Sequence, residues 1–204
     1  MRLSFCIIVC SIFVAPTATA DEGSETTFAE IATRLAAPGV IRGTFTQTRY
    51  LKYGEFPSSG RFVLSDLGLY WQQQEPVAAV MIADGERLLQ SVGEHPLQSI
   101  DLQQNPMTLS FSSTFLGIFN GNEDDLRASF DVRFESRGDE WSARLEPTDE
   151  LMSVAIEAIS IRGREYIDEL TVITRASDRM VIGFSDLQTE PGQLTDDEIR
   201  LYAR

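Results

Sequence analysis

Cysteine is almost missing from this 204-residue chain, and its two examples, Cys6 and Cys10, both fall within residues 1–20. That stretch reads as a secretory leader. Arg2 supplies the positive start, Leu3 to Val14 is an apolar run, and Ala18-Thr19-Ala20 forms a small-residue cleavage site before Asp21. The alternative is an uncleaved anchor, but the run falls short of the about 20 apolar residues that a spanning helix needs. Cys10 is no acylation site by position, because the better cleavage site lies ten residues on. Cleavage after Ala20 leaves a chain with no cysteine, in a compartment that would permit disulfides. Disulfide staples, thiol nucleophiles and cysteine metal sites are thereby excluded from the mature protein.

Other absences narrow the field further. His95 is the only histidine, so a histidine-rich metal site cannot be built. It stands in a Gly93-Glu94-His95-Pro96 loop, with no acid or nucleophile motif beside it. The chain has no G-x-S-x-G elbow, no Ser-x-x-Lys pair and no phosphate-cradling glycine pattern. Asn120 to Asp125 is acidic, but it lacks the central glycine and the distant glutamate of a calcium loop. No metal and no cofactor is expected. Paired acids are plentiful, and in so acidic a chain chance alone supplies them. No later apolar run approaches a spanning length, so the mature chain is expected to be soluble.

Basic residues are scarce. The formal charge is -14, and losing Arg2 with the leader leaves 16 basic against 31 acidic residues. Such a surface repels phosphate backbones, which excludes nucleic acid as a partner, and it opposes rest on anionic headgroups. It favours solubility, and it could also steer a basic partner. No repeat, low-complexity tract or linker divides residues 21–204, so one domain with a sizeable core is expected.

The hydrophobic pattern alternates between two periods. Phe28, Ile31, Ala32 and Leu35 recur at helical spacing, predicting a helix over about 25–36 with Ser24 as cap and Pro38-Gly39 as its end. Period-two segments follow at 40–53 (with Gly43 as a bulge candidate), 60–65, 69–74, 78–83, 86–92 and 97–102. Asp84-Gly85 between two apolar runs is a strong hairpin signal. The period then lengthens: Asn105 and Pro106 start a helix carrying Met107, Phe111, Phe115, Ile118 and Phe119 on one side. A shorter turn at 123–129 opens on three acids, which suit a helix N-terminus.

Strands resume with Phe130, Val132 and Phe134, then Trp141, Ala143 and Leu145. A turn or short helix from Pro147 to Ser153 precedes the last strands at 156–162, 166–174 and 180–184. Some ten or eleven short strands, with helices at the start and middle, make an antiparallel α+β architecture. The polar tail from Gln188 carries a capping signal at Thr195 and no evident role.

Three features in order, Phe45-Thr46-Gln47, then Trp71 with Pro76 five residues on, then Asp84-Gly85 eight residues after that, resemble the periplasmic outer-membrane lipoprotein carrier family (LolA-like). The resemblance is loose over most of residues 21–204 and more specific over 40–92. It departs from the family at Ser65, where a basic residue that fastens the lid is usual. Divergent LolA-like branches associated with other exported lipids are the better match, so the cargo does not carry over.

The resemblance implies an incomplete, half-open antiparallel barrel whose apolar inner face shelters acyl chains beneath short lid helices. By strand parity the face is assigned Phe45, Phe62, Leu64, Trp71, Val80, Ile82 and Leu88. Met107, Phe111, Phe115 and Phe119 are assigned to the lid. The same strand residues could instead form a dry core, since most apolar strand side chains pack.

Burying a chain of about sixteen methylenes at roughly 0.8 kcal/mol each gives an upper figure near 13 kcal/mol. Opening the lid gives up its own apolar packing and offsets that gain, which suits a carrier that must release its cargo. The implied partners are an acylated lipoprotein or other amphiphilic lipid, an inner-membrane transporter as donor and an outer-membrane acceptor. The protein is expected to act as a periplasmic monomer. The rival reading is a lipid-sensing regulatory module on the same barrel. A lipid or sugar enzyme would need a catalytic set that the sequence does not offer.

Overall fold

The computed structural model describes residues 27–36, 38–84, 87–100, 117–118 and 123–202. Of the expected helix over 106–119, only Gly117 and Ile118 belong to the described residues. Met107, Phe111, Phe115 and Phe119 lie outside them.

Helix α1 spans Phe28–Ala36 and buries Phe28, Ile31, Ala32 and Leu35, the four residues that the helical spacing groups together. Its cap is Thr27, and Ser24 lies outside the described residues. The Thr27 hydroxyl accepts from the Glu30 backbone N–H at 3.3 Å, and the Glu30 carboxylate accepts from the Thr27 N–H at 2.8 Å. Two otherwise orphaned donors are satisfied reciprocally.

Six strands follow: β1 (Val40–Leu51), β2 (Gly54–Ser65), β3 (Gly68–Glu75), β4 (Ala79–Ala83), β5 (Leu88–Val92) and β6 (Gln98–Ile100). After α2 (Glu123–Ser129) come β7 (Phe130–Arg137) and β8 (Glu140–Pro147). Helix α3 (Glu150–Ala155) precedes β9 (Ile156–Gly163), β10 (Ile167–Thr174) and β11 (Arg179–Gln188), and α4 (Asp196–Tyr202) ends the described chain. The strands form one sheet in the order β6-β5-β4-β3-β2-β1-β11-β10-β9-β8-β7, and each pair is antiparallel. Among the described residues the sheet does not close, and β6 and β7 are its two edges.

Strand β2 begins six residues earlier than its hydrophobic pattern suggests. Residues 54–59 carry Gly54, Pro57 and two serines, which argue against a strand. The ladder explains how they fit. Pro57 pairs with Thr48 of β1, whereas β3 joins β2 only from Ser59 onward. The prolyl nitrogen therefore sits where no second strand needs a donor.

Two glycines let the backbones approach. A side-chain carbon at Gly60 would fall onto the Gln72 carbonyl of β3. One at Gly43 would press on Leu187 and the Phe62 ring, and the β1–β11 register shifts between Arg42 and Thr44 as the bulge reading expects.

The sheet curls around one large apolar cluster. It takes Ile41 and Phe45 from β1, Phe62 and Leu64 from β2, Leu69 from β3, and continues through Ile182, Leu170, Ile159 and Leu145 on β11 to β8. Phe28, Ile31 and Leu35 of α1, Leu126 of α2 and Met152 of α3 pack on that same face, together with Ile118.

The opposite face carries a second, smaller cluster: Val40, Val63, Tyr70 and Ile82, covered by Leu194, Leu201 and Tyr202 of the tail. The tail thus roofs the outer side of β1 to β4. Arg42 holds it there, donating to both Glu198 carboxylate oxygens at 2.6 and 2.9 Å and to the carbonyls of Pro191 and Gln193 at 2.9 and 2.8 Å. The Tyr202 hydroxyl reaches the carbonyls of Val63 and Gly68 at 2.9 and 3.2 Å, and burial pushes its pKa up to about 12.

Candidate functional site

Aromatic side chains gather where β1, β2, β3 and β11 bring their inner positions together. Phe45 stacks on Trp71 with ring centres 3.7 Å apart, and Phe62 lies 6.0 Å from Trp71. Phe184 meets Phe62 and Trp71 edge-on at 5.5 and 6.3 Å. The ladder dictates the grouping, because Phe45 pairs with Phe184 and Phe62 pairs with Trp71. Directly paired residues project to one face of a sheet.

The expected face residues divide. Phe45, Phe62 and Leu64 are buried in the inner cluster, and half-buried Trp71 packs against it. Leu88 is on the same side, in a patch with Ala83, Met81 and Ile100.

Val80 and Ile82 belong to the other side. Gln72 pairs with Val80 and Tyr70 with Ile82, which turns both toward the outer cluster under Leu194, Leu201 and Tyr202. Met81, the partner of Trp71, takes the inner place that parity gave to them. The physical reason is register. Alternation fixes faces within a strand, but the turn between β3 and β4 decides which set of β4 joins which set of β3.

Ser65 also faces outward. It is buried, its hydroxyl accepts from the Leu67 N–H at 3.2 Å, and it stands beside Tyr202. The position where a lid-fastening base was expected thus serves the tail.

Beyond Phe45 the inner positions of β1 change character, to Gln47, Arg49 and Leu51. They border a cavity of about 410 Å3. Met152 and Ala155 of α3, Ile156 of β9, Val172 of β10 and Met180 of β11 give it apolar walls, and Thr174, Asp178 and Arg179 complete the rim. This volume lies within the range of about 300–1,000 Å3 typical of small-molecule sites.

Helix α3 is positioned by its own ends. The Asp149 carboxylate accepts from the Met152 N–H at 2.9 Å as an N-cap, and Arg175 donates from its backbone N–H to Ala155 and from its side chain to Ser153. Sequence reading missed this chamber. Its walls come from β9 to β11 and α3, and the alternation of Met180, Ile182 and Phe184 was the available signal.

A second cavity, of about 610 Å3, opens around Trp141 and Phe184 between charged walls. Its charges are largely self-satisfied: Arg162 pairs with Glu169 at 2.7 Å and Arg164 with Asp168 at 2.9 Å. Trp141 spends its indole N–H on the Arg164 carbonyl at 2.9 Å. Among the described residues no group of three or more His, Cys, Asp or Glu side chains could hold a metal ion. No described helix is long and apolar enough to cross a membrane.

No family model matches the chain, and no curated protein matches it. Among solved structures it is similar to a LolA superfamily protein from Nitrosomonas europaea, at 11% identity and a TM-score of 0.46, covering 83% of this chain and 94% of that one. It is likewise similar to a DUF1329 family protein from Desulfovibrio piger, at 9% identity and a TM-score of 0.46, covering 83% and 94%. A domain from Vibrio parahaemolyticus described as an outer membrane lipoprotein-sorting protein gives 13% identity, a TM-score of 0.44, and coverage of 86% and 98%. No residue role follows from identities this low.

Proposed function

We propose that this protein is a periplasmic carrier that takes acyl chains of lipoproteins, or of a related amphiphilic lipid, into the apolar inner face of its sheet and moves them from inner to outer membrane. The observation that carries the reading is the chamber beside Gln47, Arg49 and Leu51 of β1. It is bordered by Met152, Ile156, Val172 and Met180, and it lies on the same inner face of the sheet as the aromatic cluster. Hydrocarbon gains from such a site without directional contacts, and flexible methionines adapt to chains of varied shape. The leader read in residues 1–20 supports export, and the acidic surface suits a soluble intermediate.

An inner-membrane transporter would load the carrier and an outer-membrane acceptor would unload it. Residues 21–204 would act as a single monomeric domain. The function is binding and release, with no covalent step.

Mass spectrometry of the protein released gently from its native periplasm tests the proposal. A stoichiometric lipid or acylated peptide is the expected result. A soluble signal molecule in its place would favour sensing, and turnover of an added lipid would favour catalysis. Either result overturns the carrier reading.

A further inference from the structure

The β1–β2 hairpin overhangs its neighbour β3. Glu75 ends β3 opposite Ser59, so Gly54 to Ser58 run on past it for about 16 Å, at roughly 3.3 Å per residue. Lys52 and Tyr53 make the turn between Leu51 and Gly54. Tyr53 is 81% exposed and Phe56 47%, and their rings meet edge-on at 5.9 Å. Apolar side chains exposed singly are ordinary, but two rings packed on each other at a hairpin tip form a patch. Exposed Val154 stands nearby on α3, whose last turn is tied to Arg175 in the β10–β11 turn.

The charge at this tip departs from that of the chain, whose formal value is -14. Lys52 is its only lysine. Together with Arg49, Arg175 and Arg179 it is set against two acids in the same segments, Glu55 and Asp178. Arg49 and Arg179 project to opposite faces of the sheet, the latter 4.4 Å over the Tyr50 ring, so an end-on approach is what meets both. The body's acids stand back: Glu75 lies level with Ser59, and Asp149 caps the other end of α3. At physiological ionic strength exposed charges are felt over about 8 Å. A surface at the tip therefore senses the basic residues and little of Glu75. Leu51, the last residue of β1, also borders the chamber, which places the tip at the chamber's edge.

We propose that the β1–β2 hairpin is a membrane-contact element that rests end-on in the interface of an anionic lipid bilayer. Tyr53 and Phe56 lie at headgroup depth, and Lys52 meets the lipid phosphates. Aromatic rings favour that layer, and a lysine stem can cross apolar surface while its ammonium stays among charged groups. The contact brings the edge of the chamber to the bilayer. It goes beyond the carrier reading and does not depend on it.

The test is flotation of the mature protein, residues 21–204, with two kinds of vesicle at about 0.15 M salt. One is pure phosphatidylcholine and the other has about a third of it replaced by phosphatidylglycerol, so that basic residues have anionic lipid to meet. The anionic vesicles should carry about tenfold more protein. Lys52→Glu should bring that down to the level of the neutral vesicles, and Tyr53→Ser combined with Phe56→Ser should abolish flotation on both. Arg200→Glu makes the same charge change on exposed α4 and should stay within twofold of the parent. Near-ultraviolet circular dichroism establishes that each variant is folded.

No flotation, equal flotation on the two vesicles, or flotation that the tip variants leave unchanged overturns the proposal. So does an equal loss in Arg200→Glu, which would make the effect one of overall charge. A dimer that Tyr53→Ser dissolves, seen by sedimentation, would give the patch to a second copy and overturn it as well. The vesicles hold no cargo, so each of these outcomes leaves the carrier reading standing. Protein isolated from the periplasm without lipid would overturn the carrier reading and leave the contact standing.

Discussion

At the scale of single residues, the inner aromatic group does two jobs that can be separated. Phe45 is almost wholly buried, stacked on Trp71 and paired with Phe184, so its ring is part of what holds β1 to its neighbours. Phe45→Ala should lower stability by roughly 3–5 kcal/mol, the usual cost of emptying such a site. Urea unfolding followed by fluorescence would measure it, and a loss under about 1 kcal/mol, well below that range, would mean the ring packs less tightly than its 3.7 Å stack implies. Gln47 and Arg49, further along the strand, border the chamber.

At the scale of elements, the tail is the surprise. Its seven-residue helix α4 is capped by Thr195, whose hydroxyl accepts from the Glu198 N–H at 3.3 Å. It is then bound to the outer sheet face through Glu198 and Tyr202. The hydrogen bond from Arg42 is the main cause that holds the Glu198 carboxyl down at about 2, with the Thr195 N–H and hydroxyl adding to it and burial opposing.

A depressed carboxyl contributes stability that is fully present above its ordinary value near 4.5 and is lost as pH falls toward 2. Glu198→Gln should therefore cost about 1–3 kcal/mol at neutral pH, the scale of a charge-assisted hydrogen bond. It should also flatten the fall in stability between those two pH values. Parallel acid-unfolding profiles for the variant and the parent would contradict this role for the tail.

The same elements show what a sequence can and cannot disclose. Helix α1 and the Trp71 strand were legible because each carries its own period, and a period is a local property. Val80 and Ile82 were assigned to the wrong side because faces must be carried across a turn, and residues 76–78 do not announce the register that pairs Gln72 with Val80. Strand β2 was shortened because Pro57 and its serines look like a loop until the absent neighbour at that height is known. The tail was illegible for another reason. Leu194, Leu201 and Tyr202 are too few and too dispersed among acids to show an apolar stripe, and only the waiting face of Val63 and Tyr70 gives them meaning.

At the scale of the whole molecule, the eleven antiparallel strands of the described residues curl without closing, and the two faces of the sheet have different fates. The outer face from β1 to β4 is sealed by the chain's own tail. The inner face is filled with aromatic rings at one place and opens into the methionine-lined chamber at another. This asymmetry suits the carrier proposed above, with a permanent wall on one side and an adaptable one on the other.

The most direct measurement is nuclear magnetic resonance of methyl-labelled methionine, isoleucine and valine in the protein titrated with a C16 fatty acid. The account predicts that the Met152, Met180 and Val172 methyls shift and show cross-relaxation to the chain, while those of Ile82, Val63 and Val80 on the outer face stay where they are. Outer-face methyls that move in their place, or inner methyls that stay unmoved at saturating lipid, would contradict it.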